Sequence, residues 1–356
     1  MPLGATTATD VRSGIGRRAA IEMIPSAWYR PTRSLYWADL LVCASIGWAS
    51  FAGLLQAGRG LRLLFFSVAT FALYRAVLFI HELSHVNDSS LPYFELVWNV
   101  VIGVPFLVPS FLYRGVHLDH HRQKTYGTRS DPEYVPFAHR PPTTIGLYLL
   151  GALLLPVASM FRFGLLGPLS WTHAGIRKLT VERYSALAIN RAYVRRDPPE
   201  GQWRLQELAC TALCWTALLA WRTGSVPGRV FLWWGIVGAT ISALNAVRAL
   251  AAHRYDNDGD ELSSTEQLLD SCTLKRHSPS GMAPLVGAWQ ALWAPVGLRY
   301  HALHHWLPML PYHNLGRAHR LLLTAIDEPA PYRSTLRDAM WATLADLVSR
   351  SLRRRA

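Results

Sequence analysis

Six apolar blocks, at about residues 40–55, 63–80, 96–112, 145–166, 208–221 and 230–250, constrain this chain more than any other feature. Lipid offers the backbone no hydrogen-bond partners, so segments this long and apolar must satisfy their own N–H and C=O groups as helices. Only Gln56 to Arg62 separates the first two blocks, and a short stretch with Gly and Pro separates the last two. Each pair therefore reads as an antiparallel transmembrane hairpin. The expected fold is an all-α integral membrane protein, with four transmembrane helices in two hairpins, interfacial helices and a cytoplasmic histidine-rich cap.

Three histidine clusters lie at the ends of these blocks: His81 and His85; His117, His120 and His121; and His301, His304 and His305. On a helix, residues at i, i+3 and i+4 span only about 100° of the wheel, so each cluster presents one face. Eight imidazoles make a poor apolar core, because every ring brings a donor and an acceptor that need partners. They make a good nest for a nitrogen-preferring transition metal.

Sharing ligands requires all three clusters on one side of the bilayer. The 96–112 block could span by length, yet a full crossing would separate the first two clusters. Pro105 and Pro109 fit a broken helix that turns back instead. The 145–166 block, interrupted by Pro156, Arg162 and Gly164, is expected to be interfacial or re-entrant for the same reason. Hydropathy alone supports six crossings equally well.

The domain reading is a polar leader at 1–33, a membrane domain at 34–330 and a basic tail at 331–356. The formal charge of +13 is carried between apolar blocks and in that tail, where anionic headgroups can meet it. No nucleic-acid motif accompanies the charge, so membrane lipids are the expected partner. The basic run from Arg177 to Arg204 reads as cytoplasmic, which puts the histidines on that side. Cys43, Cys210, Cys214 and Cys272 form no Cys-x-x-Cys pair, which argues against a disulfide scaffold or thiolate zinc site.

His81-Glu82-Leu-Ser-His85 also satisfies the short zinc-peptidase signature, in which the glutamate acts as base. A peptidase needs one further ligand, whereas this chain supplies two more triplets. Eight imidazoles suit two metal ions with open positions. Imidazole accepts zinc, copper, nickel and iron alike. Iron is preferred because unreactive C–H bonds in a membrane substrate call for redox chemistry.

These clusters resemble the three histidine boxes of the membrane fatty acid desaturase family, HxxxH followed by two HxxHH. The stretch from His305 through Pro308, Pro311, Tyr312 and His313 is similar to that family's HHLFPxxPxYH pattern. The resemblance covers roughly residues 38–325. It implies a non-haem di-iron centre of two iron ions, with His253 after the last transmembrane helix as a ninth ligand. Some relatives carry an asparagine four residues before that histidine. Here Ala249 occupies the position, and Asn245 lies two turns back from His253 on nearly the same face. Glu82, Asp119, Asn245 and His313 are candidates to support the ligand shell. His139, His173, His277 and His319 are expected to be surface or hydrogen-bonding residues.

The implied activity is oxygen-dependent desaturation of a lipid acyl chain. Hydroxylation of a lipid, alkane or carotenoid is the alternative, and a zinc-dependent membrane protease the weaker one. The expected partners are an acyl lipid, dioxygen and a separate electron donor such as a ferredoxin or cytochrome b5-like protein. No His-Pro-Gly-Gly haem segment or cysteine cluster for iron–sulfur binding is fused to the chain.

Overall fold

The structure is a computed structural model that describes residues 16–86, 89–275, 283–326 and 330–353, with the side chains of 283–287 left aside. His277 lies outside the described residues. After a short α1 (Arg17–Met23), two long helices, α2 (Arg33–Gln56) and α3 (Arg59–Val77), form the expected first hairpin. They approach closely because Gly47 leaves room for Leu73 and Gly53 for the Phe65 ring. A slight break at Leu78 leads into α4 (Phe79–Leu83), which carries His81 at the hairpin's end.

The 96–112 block is broken, as the shared-ligand argument requires. It comprises α5 (Phe94–Trp98), one π-helical turn (Asn99–Gly103), a loop through Pro105 and Pro109, and a 3-10 turn (Ser110–Leu112). Its freed backbone groups are taken by neighbours. Trp48 of α2 donates its indole N–H to the Val101 carbonyl at 2.8 Å, and Asn99 bonds both the Ser110 backbone N–H and its hydroxyl. Trp98 ties the segment back to α3 through the Ala76 carbonyl, at 2.8 Å. Re-satisfied in this way, irregular backbone is tolerated at membrane depth.

α6 (Val116–His121) carries the second cluster. Next come α7 (Pro142–Leu153) and α8 (Leu155–Phe161), a π turn at Arg162–Leu166, then α9 (Gly167–Thr172) and α10 (Ala174–Tyr184). The stretch Pro142–Leu153 meets Leu155–Thr172 at 58°, which fits the interfacial or re-entrant reading of the 145–166 block. α11 (Trp203–Arg222) and α12 (Gly228–Leu250) are not packed along each other as the expected second hairpin: α12 lies against α3, α7 and α8, and α11 against the Arg162–Leu166 turn.

By length and composition, Ser26–Gln56, Arg59–Leu83 and Gly228–Leu250 are apolar enough to cross a bilayer, and the bent pair raises the number to four. Among the described residues α11, expected as a crossing, is not one of these. Its Glu207 is buried in a polar knot with Arg162, Arg177 and the Trp171 indole. That carboxylate braces α11 against the bent segment.

The remainder forms the cap: α13 (Ser264–Asp270), α14 (Ala283–Trp293), α15 (His301–Trp306), α16 (Tyr312–Ala325), α17 (Pro331–Ser334) and α18 (Met340–Arg353). One parallel bridge pair, Thr273–Leu274 with Leu336–Arg337, pins it together. Part of the polar leader is built into the cap, since Ala20 and Ile24 are buried with Leu303 and Trp306. The basic tail likewise contains a packed helix: α18 buries Leu347, and Ser351 donates to the Arg140 carbonyl at 2.5 Å.

A Cβ at Gly47 would stand 2.5 Å from Leu73 Cγ. Gly47→Leu should therefore force the first hairpin apart, at about 1–3 kcal/mol for overpacking. Gly146→Ala, which points into open space, should hold or raise stability. Thermal unfolding of the two variants in the same detergent checks the contrast.

Candidate metal centre

Nine histidines converge into two groups. His81, His85, His117, His121 and His304 form one, and His120, His253, His301 and His305 the other; within each group the facing ring nitrogens lie within 4.8 Å of one another. The sorting follows from helix geometry. On α6, His117 and His121 are a full turn apart and join the first group, while His120, between them, leans to the second. On α15 the assignment reverses: His301 and His305 join the second group and His304 the first. The end of α4 adds His81 and His85 to one side, and the exit from α12 adds His253 to the other. Gly297, with φ of 70°, makes the turn leading into α15, where a Cβ would strike Leu315 and Tyr312.

Three outer ring nitrogens, those of His117, His120 and His253, are held by acceptors from elsewhere in the chain. His117 Nδ1 donates to Glu133 at 2.6 Å, with the Tyr113 hydroxyl 2.9 Å away and also on Glu133. His120 Nδ1 lies 2.9 Å from both oxygens of the fully buried Asp131, which also accepts the Gly127 and Glu133 backbone N–H groups. His253 Nδ1 donates to the Tyr126 oxygen at 2.8 Å, and Tyr126 passes its own proton toward Asp270 at 2.8 Å. Tyr134 adds a second hydroxyl to Asp270, at 3.0 Å. Such acceptors fix the tautomer and leave the inner Nε2 as a lone pair.

Inner nitrogens crowd together. His121 Nε2 is 3.0 Å from both His117 Nε2 and His304 Nε2; His301 Nε2 is 2.8 Å from His253 Nε2 and 3.1 Å from His305 Nε2. His81 Nε2 and His85 Nε2 are buried with no hydrogen-bond partner. Converging lone pairs repel unless a cation lies among them. For metal–nitrogen bonds of about 2.0–2.1 Å, ligands at right angles stand about 2.9 Å apart, which is the spacing these pairs adopt. The residues fit two metal ions.

Charge agrees with this fit. Burial, reinforced by neighbouring imidazoles, holds His117, His121, His301, His304 and His305 well below the usual histidine range. Burial likewise pushes His85 down to about 3. These rings are neutral, the form that ligates metal. His120 differs: burial pulls it down, but the Asp131 carboxylate more than offsets this and raises it. Burial also pushes Glu133 up to about 7.

The supporting residues anticipated from the sequence are placed otherwise. Asp119 turns away from the rings, and its carboxylate takes Arg122 at 2.6 Å and the Tyr193 hydroxyl at 2.8 Å. Asn245 accepts from Arg248 at 2.6 Å. His313 caps α2, accepting the Thr32 backbone N–H at 3.1 Å. Glu82 is engaged by the Tyr36 hydroxyl and the Tyr312 N–H, and its Oε1 stands 3.6 Å from His81 Nδ1. So held, it is not poised as a peptidase base. His139 bonds the Asp256 carbonyl, His173 caps α10 and His319 meets the Tyr332 hydroxyl.

The supports that are present, Tyr113, Tyr126, Asp131, Glu133 and Asp270, were not singled out by sequence. The only local signal was Asp131-Pro-Glu133 just beyond the second cluster, within a stretch that reads as solvated loop.

The fatty acid desaturase family model matches residues 57–336. A ceramide hydroxylase of Caulobacter vibrioides (strain NA1000 / CB15N) is 40% identical over 329 residues, covering 90% of each chain.

Asp131→Ala removes the acceptor that orients His120. Loss of such a support costs about 10–100-fold in metal affinity. Chelator titration of metal-loaded protein should show one of two equivalents released early. Asp119→Asn, away from the rings, should release both as the wild type does.

Proposed function

We propose, on the premise that the chain belongs to the fatty acid desaturase family, that it hydroxylates the hydrocarbon chain of a ceramide at a di-iron centre. Membership makes it a membrane enzyme of lipid oxidation. The motifs alone put desaturation first; similarity to a ceramide hydroxylase along 90% of both chains is the single observation that favours hydroxylation instead. Desaturation of the same lipid remains the second reading, because the family's histidine boxes serve it equally.

The geometry supports a lipid substrate. A cavity of about 570 Å³, within the range of small-molecule sites, lies between α12, the bent α7–α8 pair and the broken 96–112 segment. His81 of the first histidine group and His253 and His301 of the second share its wall. A chain lying there reaches both groups at once. Iron bound by the nine histidines would supply the activation of dioxygen. One oxygen atom enters a C–H bond, the other leaves as water, and a separate donor contributes two electrons with two protons.

The chain's own residues do the placing. The apolar cavity wall aligns the hydrocarbon and excludes water, and Asp131, Glu133 and Asp270 hold the histidine rings in register. Arg122, Lys124 and Arg129 are exposed on the loop after α6. Their charge suits an acidic electron donor and a cytoplasmic position for the cap.

Protein reconstituted in bilayers with ceramide, reduced ferredoxin and ¹⁸O₂ should yield hydroxyceramide carrying one labelled oxygen. His121→Ala should lose both bound iron and this product. An alkene in place of the alcohol would establish the desaturase reading, and an unaltered ceramide would end the ceramide assignment.

A further inference from the structure

The cavity has one polar end, and a charged residue of the membrane helix α12 stands there. Arg248 is half-buried on the cavity wall in the last turn of Gly228–Leu250, a membrane span by length and composition. An arginine at a helix end can snorkel to the interface, but this guanidinium is turned onto the cavity wall. Among the described residues no carboxylate lies within ion-pair distance of Arg248. One guanidinium nitrogen donates to Asn245 Oδ1 at 2.6 Å, while Nε is buried without a hydrogen-bond partner. The neighbouring Tyr74 hydroxyl donates to the Trp293 carbonyl at 2.8 Å, and its oxygen lies near enough to the guanidinium to help orient it.

Arg248 shares the wall with His81, His253 and His301, on the same side as Tyr113 and Glu133. From there the cavity follows α12 back to Trp234, a distance of about 20 Å at 1.5 Å per residue. That far part is apolar, bordered by Phe106, Leu155, Pro156 and Gly238. The unsatisfied donor is therefore beside the histidines and the greasy slot extends away from them.

We propose that Arg248, oriented by Asn245, binds the carbonyl oxygen of the lipid substrate and so fixes oxidation at a carbon only a few bonds from that carbonyl. A carbonyl accepts what Nε lacks a partner for, and a charged donor strengthens the bond. With the carbonyl anchored beside the centre, the rest of the hydrocarbon fills the slot toward Trp234, and distant methylenes lie out of reach. This deepens the reading above and rests on it for the identity of the carbonyl, an amide in ceramide. A lipid ester would present the same acceptor.

Binding separates this inference from the ceramide reading. Metal-loaded wild type, Arg248→Lys and Arg248→Leu in bilayer discs, without reductant, are titrated with ceramide and with its analogue whose amide carbonyl is reduced to methylene. Wild type should prefer the carbonyl compound by about tenfold, the scale of one hydrogen bond to a charged group. Arg248→Leu should erase the preference with its metal content intact, and Arg248→Lys should retain part of it. On turnover, Arg248→Leu should scatter the oxidised position over several carbons where wild type gives one near the carbonyl. A fully metallated Arg248→Leu that keeps the preference, or a wild type that prefers neither the amide nor the ester carbonyl over its reduced analogue, overturns the inference. If wild type binds ceramide without preference but an ester over its ether analogue, the ceramide reading fails and the role of Arg248 stands.

Discussion

Everything in this structure depends on holding nine imidazoles face to face at the edge of a membrane. Each ring has two nitrogens, and burial leaves neither free to find water. The chain resolves three of the outer nitrogens with carboxylates: Glu133 on His117, Asp131 on His120 and Asp270, through Tyr126, on His253. Nothing in the protein resolves the inner ones, which approach to about 3 Å across each group. Removing a polar group from water without a partner costs several kcal/mol. A cation at each convergence turns that accumulated penalty into binding energy, so folding of the cap and metal occupancy are one equilibrium.

That constraint explains features that otherwise look like defects of a membrane protein. The 96–112 block is broken so that α4 and α6 emerge on the same face, and tryptophan and asparagine side chains absorb the cost of the break. The polar knot at Glu207 fixes α11 against the bend, which is why a helix with the length of a span carries a buried carboxylate.

Reading the sequence recovered what is local and lost what is distant. Spacing within one helical turn sets which face a histidine shares, so the ligand clusters and the need for a broken segment were legible. Asp119 misled because sequence adjacency was taken for spatial adjacency. It lies two residues from His117, about 200° around the helix, and faces Arg122 and Tyr193. The same rule, applied more strictly, excludes it. Asp270 could not be found this way: its partners Tyr126 and Tyr134 are more than a hundred residues distant, and only the folded cap brings them together. His313 sits inside a family-like pattern, yet its ring serves as a backbone cap for α2, a role set by how α16 meets the leader.

Two groups of unequal size meeting one cavity also bear on why the reaction is hard to read from motifs. The five-histidine group reaches the cavity only through His81, whereas the four-histidine group contributes His253 and His301. The smaller group thus has two of its four imidazoles on the cavity wall, and the larger one of its five. Whether an alkene or an alcohol follows depends on a second, neighbouring C–H coming equally close. That is a question of how rigidly the hydrocarbon is held along the slot, and none of the nine histidines decides it. The cavity wall, in residues such as Phe106, Pro156 and Gly238 whose only chemistry is shape, bounds how a hydrocarbon can lie there. Shared ligands therefore define the family, and the contour of the slot defines the product.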